Sequence, residues 1–394
     1  MQLTNKQEQG LKVAVSRYKA KGKYTVIAGY AGSGKSTLVR FIIDALNINE
    51  EDVCYCAYTG KAAQVLINKG CKNAVTAHKL LYDARPLPNG KFYLKKKDFL
   101  DYKVIVCDEC SMLPAPMVEL LLSYPNIYVI FCGDNAQLPP IRKEENNHLL
   151  DKPHVFLDEI VRQAQDSGII RLSMLAREGR SFSLFKSDDV KIISKKELVT
   201  GHLDWADQIL CATNKTRNQI NTMCRTSRGY TNIIEENEKL ICCTNYWDTI
   251  SDKGSALTNG CIGILTNIYC QNFWFPSYLK IDNNTIPIIS GNFVTNEGDY
   301  FGTLDCDQNF LLTGVSTLTS KQKYRLGRIK KYQNSIPYEL TYSYCITTWK
   351  AQGSEFDKVL GIVESFPFGA VERRQYLYTL ITRATKKLVL VREE

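Results

Sequence analysis

Uninterrupted apolar runs alternate with stretches of helical spacing along the first part of the chain. Strands covered on both faces are apolar throughout, whereas half-exposed strands alternate, so this pattern predicts a parallel sheet flanked by helices. A comparable pattern returns near the end of the chain, and we predict a second α/β domain there. The runs that define the predicted strands are Tyr24–Ala28, Val53–Tyr58, Val104–Cys107, Ile127–Cys132, Gln208–Ala212, Tyr344–Thr347, Lys358–Val363 and Leu388–Val391.

Two stretches depart from that pattern and are predicted to be insertions. In residues 236–335, short β-prone runs such as Cys261–Cys270 and Phe273–Ile281 are separated by Asn, Gly and Pro turns, which predicts a small SH3-like β-barrel. In residues 82–103, a turn rich in Pro, Asn and Gly precedes the basic-aromatic strand Lys91–Lys95, which predicts a protruding hairpin. The predicted boundaries are 1–81 and 104–152 for the first parallel-sheet domain, 82–103 for the hairpin, 153–235 and 336–394 for the second parallel-sheet domain, and 236–335 for the barrel.

The glycine-rich segment Gly29–Ser36 stands between a predicted strand and a run with helical apolar spacing that reaches Leu46. A strand, a glycine-rich turn and a helix form the phosphate loop of nucleotide-binding proteins, whose backbone N–H groups surround a polyphosphate. In such a loop Lys35 reaches the terminal phosphates and the Ser36 hydroxyl binds Mg²⁺. An ordinary glycine turn is the alternative, and the Lys-Ser-Thr ending argues against it. The predicted nucleotide contacts are Gly29, Gly32, Ser33, Gly34, Lys35, Ser36 and Thr37.

Two further predicted strands end in polar residues suited to nucleotide hydrolysis. The first is followed by Asp108, which we expect to hold Mg²⁺, and by Glu109, the candidate general base for the attacking water. The segment Gly133–Pro140 follows the next apolar run, and its Gln137 is a candidate sensor of the γ-phosphate. Taken alone, the acidic pair is also compatible with a solvated strand end, and the second segment with a simple turn.

The composition is that of a globular protein with a moderate basic excess. Hydrophobic residues make up 44% of the 394 residues, and 50 Lys and Arg against 41 Asp and Glu give a net charge of +9, which suits a polyanionic partner. We find no signal peptide and no apolar run of membrane-spanning length, so we expect a cytoplasmic protein.

The 14 cysteines are scattered, mostly in predicted strands, which fits a reducing compartment. Cys107 and Cys110 have the spacing of metal ligands, but no second pair lies nearby, so zinc is not favoured.

Seven distinctive segments are ordered along the whole chain: Gly29–Ser36, Ala57–Ala63, Thr76–Leu81, Asp108–Met112, Gly133–Pro140, Thr347–Phe356 and Tyr376–Ala384. Together they resemble the superfamily 1 DNA helicases of the RecD type. No single segment is decisive, but the complete set in this order is specific. Two positions differ from the family pattern, because Trp349 stands where histidine is usual and Tyr30 stands where many members have proline.

The resemblance implies two RecA-like domains with ATP and Mg²⁺ bound in the cleft between them. The first domain supplies the residues already described, and the second supplies two arginines, Arg162 and Arg383, that reach the γ-phosphate. Taken alone, Arg162 is equally compatible with a surface position, and Arg383 with a cation at a helix C-terminus. The resemblance also implies nucleotide contacts from Gly353 and Glu355 and adenine recognition by Gln7. For Gln7, the Thr-x-x-Gln spacing equally predicts a capping box at the first helix.

The same resemblance implies a path for single-stranded DNA along the strand ends of both domains. Hydroxyl, amide and lysine side chains suit sequence-independent phosphate contacts, although each residue alone is also compatible with an ordinary loop. We predict that Trp349 stacks on a base. Phe92 and Tyr93 either cap the last base pair or pack between hairpin and sheet, and the basic run 321–331 either contacts DNA or is a solvated face. The implied DNA contacts are Thr59, Lys61, Thr76, His78, Phe92, Asn214, Thr348, Trp349 and Lys350.

The expected function is that of an ATP- and Mg²⁺-dependent DNA helicase that moves 5′→3′ on single-stranded DNA and opens duplexes at single-strand/duplex junctions. Closure of the two domains on ATP, and reopening after hydrolysis, would move the protein along the strand. We expect a monomer that derives from a phage or mobile element. Two other interpretations stay open. One is a DNA-dependent ATPase that remodels protein–DNA complexes without strand separation, and the other is a small-molecule kinase, which needs an acceptor pocket.

Overall fold

The structure is a computed structural model in which the chain forms two compact units. The described residues are 3–86, 92–139, 146–160, 166–182, 185–279, 284–329, 331–332, 335–364 and 369–392. The larger unit comprises Met1–Leu81, Lys97–Thr213 and Ile346–Glu394, and the smaller unit comprises Tyr82–Lys96 and Asn214–Cys345. Among the described residues, no helix combines the length and the apolar character needed to cross a lipid bilayer.

Strands and helices alternate through most of the larger unit, whereas strands dominate the smaller one. The strands are β1 (Tyr24–Gly29), β2 (Val53–Ala57), β3 (Ala74–Thr76), β4 (Tyr82–Pro86), β5 (Phe92–Lys96), β6 (Val104–Cys107), β7 (Tyr128–Gly133), β8 (Val155–Leu157), β9 (Val190–Ser194), β10 (Gln208–Cys211), β11 (Lys239–Cys242), β12 (Tyr246–Ile250), β13 (Ala256–Leu257), β14 (Ile262–Trp274), β15 (Thr285–Thr295), β16 (Tyr300–Asp307), β17 (Leu340–Tyr342), β18 (Cys345–Thr347), β19 (Phe356–Val363) and β20 (Ala384–Arg392). The helices are α1 (Asn5–Lys19), α2 (Lys35–Leu46), α3 (Gly60–Asn68), α4 (Ala77–Leu81), α5 (Ala115–Ser123), α6 (Gly168–Glu178), α7 (Thr200–Trp205), α8 (Asn214–Ser227), α9 (Gln308–Thr313), α10 (Ser320–Gly327) and α11 (Ala370–Ile381).

The first sheet is parallel and has the strand order β3-β2-β6-β7-β1-β8, so the prediction of a parallel sheet is confirmed. Helix α2 buries Leu38 and Ile42 against this sheet, and burial of each such side chain stabilises the fold by about 1.5–3 kcal/mol. Ala28 on β1 lies beside Gly133 on β7. The segments that follow β1, β6 and β7 therefore meet at one edge of the sheet, the usual position of a ligand site in such folds. This sheet and its helices are called the first lobe below.

The second sheet of the larger unit has the order β18-β10-β19-β20-β9, and β10, β19, β20 and β9 pair in parallel. Helices α6 and α11 pack against each other beside it. The last turns of α11 are buried, including Tyr376 and Tyr378, and this part of the helix contacts both the sheet and the first lobe. This sheet and its helices are called the second lobe.

The smaller unit contains an antiparallel sheet with the order β16-β15-β14-β11-β17. The sequence patterns Cys261–Cys270 and Phe273–Ile281 predicted two separate strands, and this is wrong. One strand, β14, spans Ile262–Trp274, and its register against β15 shifts between Thr266 and Tyr269. Gln271 and Asn272, which separate the two predicted strands, pair in regular register with Ile288 and Pro287 of β15, so the strand does not end there.

A separate antiparallel hairpin is formed by β4 and β5, in which Tyr82 pairs with Lys96 and Pro86 with Phe92. The turn predicted from Pro88, Asn89 and Gly90 lies outside the described residues. The paired strands end at Lys96, so residues 97–103 of the predicted hairpin are not part of it. In the basic run 321–331, residues up to Gly327 belong to helix α10.

Candidate active site

The phosphate loop joins the end of β1 to the start of α2. Gly34 is the N-cap of α2, and its φ of 77° is left-handed, a conformation that favours glycine. Gly29 is closely surrounded, because a Cβ atom there would lie 2.7 Å from the Ser33 Oγ and 3.0 Å from the Leu157 carbonyl oxygen. The loop therefore requires glycine at one position for its backbone conformation and at the other for its packing.

Lys35 folds its ammonium group back over this loop. Its Nζ donates hydrogen bonds to the carbonyl oxygens of Gly29 at 2.6 Å and Tyr30 at 3.1 Å. Ser33 Oγ is buried, and no described residue is its hydrogen-bond partner. The N–H groups of the first turn of α2 likewise lack acceptors within the helix. A polyphosphate supplies oxygen atoms for all of these donors, so the residues of the loop fit a nucleoside triphosphate.

Gln7 connects the first helix to the phosphate loop. Its Oε1 accepts a hydrogen bond from the Thr4 N–H at 3.0 Å, and its own N–H donates to Thr4 Oγ1 at 3.3 Å, so the predicted capping box is confirmed. The Nε2 of the same buried side chain donates to the Ser33 carbonyl oxygen at 3.0 Å. The cap thus holds Gln7 against the loop, and adenine recognition by this residue stays a prediction.

Asp108 and Glu109 follow β6 at the same sheet edge. Asp108 Oδ1 accepts a hydrogen bond from the Glu109 N–H at 3.0 Å, and Glu109 has a left-handed backbone with φ 49°. Burial, followed by the charge of Glu109, raises the pKa of Asp108 to about 6, and Lys35 opposes this shift. A bound cation would favour the ionised form of such a carboxyl group.

A cavity of about 480 Å³ has Ser36, Thr37 and Asp108 in its wall. The Ser36 hydroxyl and the Asp108 carboxylate are hard oxygen donors of the kind that bind Mg²⁺, which usually takes one or two protein ligands together with phosphate oxygens. These two residues therefore fit the Mg²⁺ ion of a bound nucleotide.

Tyr378 of α11 connects the two lobes at the phosphate loop. Its hydroxyl donates to Asp134 Oδ2 at 2.6 Å and accepts from the Ala31 N–H at 2.8 Å. Asp134 follows β7, and Ala31 is the third residue of the loop. The role of Tyr378 was not predictable from the Tyr376–Ala384 segment in which it lies, because its partners are distant in sequence.

Leu138 is the second link between the lobes. Its N–H donates to Thr379 Oγ1 at 2.8 Å, and its carbonyl oxygen accepts from Gln352 Nε2 at 2.7 Å. The preceding residue, Gln137, is buried, and its N–H donates to the Asp134 carbonyl oxygen at 3.3 Å, as in a turn. The turn predicted in the segment Gly133–Pro140 is therefore present at Asp134–Gln137. A role of Gln137 toward the γ-phosphate stays a prediction.

Arg383 is only 4% exposed and is hydrogen-bonded within the second lobe. Its Nε donates to the Thr379 carbonyl oxygen at 3.1 Å, its Nη1 to the Ser354 carbonyl oxygen at 3.1 Å, and its Nη2 to Thr382 Oγ1 at 3.3 Å. The structure thus places this guanidinium just beyond α11 without bringing it to the phosphate loop. Arg162 lies outside the described residues.

Gly353 and Glu355 lie beside α3 of the first lobe. A Cβ atom on Gly353 would be 2.7 Å from the Ala62 Cβ, so the two segments approach closely. Glu355 Oε1 and Lys69 Nζ form an ion pair at 3.7 Å, and both side chains are about half exposed. These contacts link the lobes on the α3 side, and a nucleotide contact from either residue stays a prediction.

The residues predicted to bind DNA in the first lobe stand at helix starts. Thr59 Oγ1 accepts a backbone N–H of α3 at 3.2 Å, and Lys61 lies in the first turn of that helix. Thr76 Oγ1 accepts a backbone N–H of α4 at 3.2 Å. The His78 ring lies 5.6 Å from the Tyr58 ring, and burial lowers the pKa of His78, which favours the neutral imidazole near pH 7.

The residues predicted to bind DNA in the second lobe differ in exposure. Thr348 is fully buried, and its N–H and hydroxyl both donate to the Cys211 carbonyl oxygen, so its side chain supports the turn and is not presented to DNA. Trp349 is half-buried, with its ring 6.3 Å from the Tyr376 ring and nearly parallel to it at 28°. Lys350 is partly exposed. Trp349 and Lys350 thus remain as candidate DNA contacts in this segment.

Glu364 is a residue of this region that sequence analysis missed. Its carboxylate accepts hydrogen bonds from the N–H of Ala212, from the N–H of Thr213 at 3.1 Å and from the Thr213 hydroxyl at 2.9 Å. It therefore holds the residues that follow β10 in place.

Asn214, in the smaller unit, is the exposed first residue of α8. Phe92 is the first residue of β5, where the backbone but not the side chain is described.

Two family models match the chain. The model of an AAA domain matches residues 2–197, and the model of a UvrD-like helicase C-terminal domain matches residues 342–391. The first match contains the phosphate loop, the Asp108–Glu109 pair and Gln137. The second contains Trp349, Tyr378 and Arg383.

Curated relatives include helicases from phage and bacteria. The ATP-dependent DNA helicase dda of Enterobacteria phage T4 is 32% identical over 36% of this chain and 34% of its own length. The ATP-dependent RecD2 DNA helicase of Deinococcus radiodurans is 33% identical over 38% of this chain and 21% of its own length. The RecBCD enzyme subunit RecD of Buchnera aphidicola is 26% identical over 92% of this chain and 69% of its own length. The match thus spans about a third of the length of the first of these relatives and about a fifth of the second.

Solved structures with a similar fold include Pif1 helicases. The structure described as two coordinating Pif1 helicases at forked double-stranded DNA has a TM-score of 0.56 and 18% identity, covering 99% of this chain and 92% of that chain. The structure of Bacteroides Pif1 bound to single-stranded DNA has a TM-score of 0.55 at the same identity and coverage. At this level of identity the likeness shows the fold, which includes two RecA-like domains.

Proposed function

This chain belongs to the superfamily 1 helicases of the RecD/Dda type, and we propose that it is an ATP-dependent DNA helicase that moves 5′→3′ along single-stranded DNA. The observation that supports this proposal most directly is the hydrogen bond between Tyr378 of the second lobe and Ala31 of the phosphate loop. A loop in contact with a second lobe allows the state of the nucleotide to bias the position of that lobe, as a translocating motor requires.

The proposed hydrolysis uses residues of the first lobe. Lys35 and the N–H groups of the loop bind the phosphates, and Ser36 with Asp108 holds Mg²⁺, which neutralises charge on the phosphate oxygens. Glu109 accepts a proton from a water molecule whose oxygen bonds to the γ-phosphorus. The bond from that phosphorus to the bridging oxygen breaks, leaving ADP and inorganic phosphate. Gln137 is proposed to hydrogen-bond the attacking water or the γ-phosphate.

The arginines of the second lobe complete the proposal. For Arg383 to reach the γ-phosphate, it must exchange its acceptors, including the Ser354 carbonyl oxygen, for phosphate oxygens when the lobes close. Such an arginine stabilises the charge that develops during transfer, and it couples hydrolysis to closure. Arg162 is proposed as a second arginine of this kind.

DNA is proposed to run along the strand ends of both lobes, where Thr59, Lys61 and Lys350 contact phosphates and Trp349 stacks on a base. This single-stranded path supports translocation without sequence preference. The β4–β5 hairpin, residues 82–96, is proposed to split the duplex as a pin, and residues 236–335 are proposed to form an SH3-like barrel.

Strand displacement on 5′-tailed, 3′-tailed and blunt duplexes tests the proposal. We expect the wild type to open only the 5′-tailed substrate in the presence of ATP and Mg²⁺, and to show ATPase activity that stays low until single-stranded DNA is added. Lys35→Ala and Glu109→Gln should abolish both activities. Activity on the 3′-tailed substrate would overturn the direction of movement. ATPase activity independent of DNA would instead favour a kinase-like function.

Deletion of residues 87–93 separates a helicase from an ATPase that only remodels protein–DNA complexes. The deletion removes the tip that joins β4 to β5, including Phe92 and Tyr93. We expect unwinding to be lost while DNA-stimulated ATPase activity is retained. Equal loss of both activities would contradict the role of a pin.

A further inference from the structure

Arg177, on α6 of the second lobe, lies against the phosphate loop of the first lobe. Its guanidinium carbon is 3.4 Å from the centroid of the Tyr30 ring, which is within the range of a cation–π contact. The Tyr30 ring in turn packs edge-on against Phe156, with centroids 5.2 Å apart. The loop therefore presents a fixed aromatic face, and an arginine of the opposite lobe rests on it.

One donor of Arg177 has no acceptor. Its Nη1 is buried, and no described residue accepts a hydrogen bond from it. The ion pair with Glu178 does not compensate, because Nη2 and Oε1 are 3.8 Å apart and the Glu178 side chain is 43% exposed. A buried cationic donor without an acceptor is unfavourable, and an anionic ligand at this position would supply the missing acceptor.

The surroundings of Arg177 indicate which ligand this is. Lys35, the residue that binds terminal phosphates in phosphate loops, donates to the Tyr30 carbonyl oxygen, so those phosphates lie close to Tyr30. The hydroxyl of Tyr378 is bound to the next residue, Ala31. Burial raises the pKa values of Tyr30 and Tyr378, and the charge of Arg177 opposes both shifts. Arg177 and Tyr378 of the second lobe and Lys35 of the first lobe thus contact the neighbouring loop residues Tyr30 and Ala31.

We propose that Arg177 binds the terminal phosphate of ATP across the two lobes, in addition to the arginines that the family resemblance implies. This inference rests on the proposed function. The Tyr30 ring holds the guanidinium, and a phosphate oxygen accepts the hydrogen bond of Nη1. ADP lacks that phosphate group, so Arg177 distinguishes ATP from ADP. It also stabilises the charge on the phosphoryl group as the bond to the ADP oxygen breaks.

The test compares Arg177→Ala with the wild type and with Arg171→Ala. Arg171 lies on the same helix and rests on the Phe185 ring at 5.9 Å, so its removal deletes the same kind of contact elsewhere. We expect Arg177→Ala to lower the kcat of DNA-stimulated ATP hydrolysis about 100-fold or more. It should weaken binding of a non-hydrolysable ATP analogue about tenfold, with the Kd for ADP unchanged within about twofold. Arg171→Ala should change none of these quantities by more than about twofold.

The outcomes distinguish binding of the phosphate from structural support. Equal weakening of ADP and of the ATP analogue would overturn the proposal, as would an unchanged kcat in a folded Arg177→Ala protein. If Arg177→Ala fails to fold, Arg177→Lys keeps the charge without the planar stacking group. We then expect an intermediate kcat and partial loss of ATP selectivity, and retention of both at wild-type levels would contradict the proposal. A wild-type protein without DNA-stimulated ATPase activity would refute the proposed function instead.

Discussion

The Tyr378 hydroxyl donates a hydrogen bond to Asp134 Oδ2 at 2.6 Å, which joins helix α11 of the second lobe to the end of strand β7 in the first. The two side chains are 0% and 1% exposed. Burial raises the pKa of Asp134, and the charge of Lys35 and the bond from Tyr378 oppose that shift. The hydroxyl therefore stabilises a buried carboxylate, and it also binds Ala31 of the phosphate loop. Movement of either lobe must disturb this bond.

Tyr378→Phe should weaken the link between the lobes without leaving a cavity. The substitution removes one hydroxyl and leaves Asp134 Oδ2 and the Ala31 N–H without that partner. We expect the free energy of unfolding to fall by about 1–3 kcal/mol, because buried polar groups without partners are costly. We also expect the KM for ATP to change, because Ala31 belongs to the loop. Urea denaturation and steady-state ATPase assays measure these two effects.

Tyr376→Phe is the matched control, since Tyr376 Oη donates to the Ile362 carbonyl oxygen at 2.8 Å within the second lobe. It removes a tyrosine hydroxyl from the same helix without touching the phosphate loop. A comparable loss of stability with an unchanged KM for ATP is expected. If both variants altered the KM equally, the effect of Tyr378 would reflect the stability of α11 and not its contact with the loop.

Asp108 should make stability depend on pH. Its pKa is raised to about 6 in the folded protein from an ordinary value of 3.8. The folded state therefore binds the proton more tightly, and this contribution to stability is present at low pH and lost as pH rises through about 6. The free energy of unfolding of the nucleotide-free wild type, relative to Asp108→Asn, should fall by roughly 1–3 kcal/mol between about pH 4 and pH 7. Urea denaturation at several pH values measures this difference, and a flat difference would contradict it.

Binding of Mg²⁺ and ADP should show the opposite trend. The ion requires the carboxylate form of Asp108, so the affinity should fall as pH decreases below about 6. Asp108→Asn removes this titration but not that of the nucleotide, which makes it the control. Calorimetry of Mg²⁺–ADP binding at pH 5.5, 6.5 and 7.5 compares the two proteins. Parallel pH profiles would show that Asp108 does not bind the metal ion.

Local patterns predicted the strands β1, β2, β6 and β7 of the first sheet well, because these strands are short and mostly buried. Val104–Cys107 is found with its predicted ends, and α2 ends at the predicted Leu46. The same reasoning failed at β14, where regular pairing with β15 continues through Gln271 and Asn272, two residues that resemble a turn. A local pattern does not show whether a neighbouring strand pairs with such residues.

The contacts of the site were less predictable than its members. Lys35, Ser36 and Asp108 are identified by motifs whose spacing is fixed by a strand, a turn and a helix. The bond between Tyr378 and Asp134 joins residues 244 positions apart, and neither side chain carries a local pattern that indicates the other. The burial of Thr348 likewise follows from packing against β10, which spacing does not reveal.

Trp349→Ala should weaken binding of single-stranded DNA. One face of the half-buried Trp349 ring is supported by Tyr376, so the ring is held as a platform for a base. Loss of one stacked base should cost about 1–3 kcal/mol of binding free energy, and Trp349→Phe should recover part of it. Fluorescence anisotropy with a labelled oligonucleotide measures the Kd. Trp205→Ala, at another half-buried tryptophan, should leave the Kd unchanged. Equal effects of the two alanine variants would instead indicate packing.

Glu238→Gln should destabilise the smaller unit, because it removes the negative charge of a buried ion pair and leaves the positive charge in place. Glu238 accepts hydrogen bonds from Arg225 Nε at 2.8 Å, from the Glu235 N–H at 2.9 Å and from the Tyr344 hydroxyl at 3.1 Å. Loss of the negative charge leaves the Arg225 cation without its partner, which typically costs 3–5 kcal/mol. Hydrogen exchange of the β11 amides measures the local free energy of opening. Glu236→Gln is the same change at an exposed residue, whose carboxylate accepts the N–H groups of Asn267 and Ile268 but pairs with no buried cation, so it should cost no more than about 1 kcal/mol. Similar exchange rates in both variants would mean that the buried pair contributes no more than an exposed one.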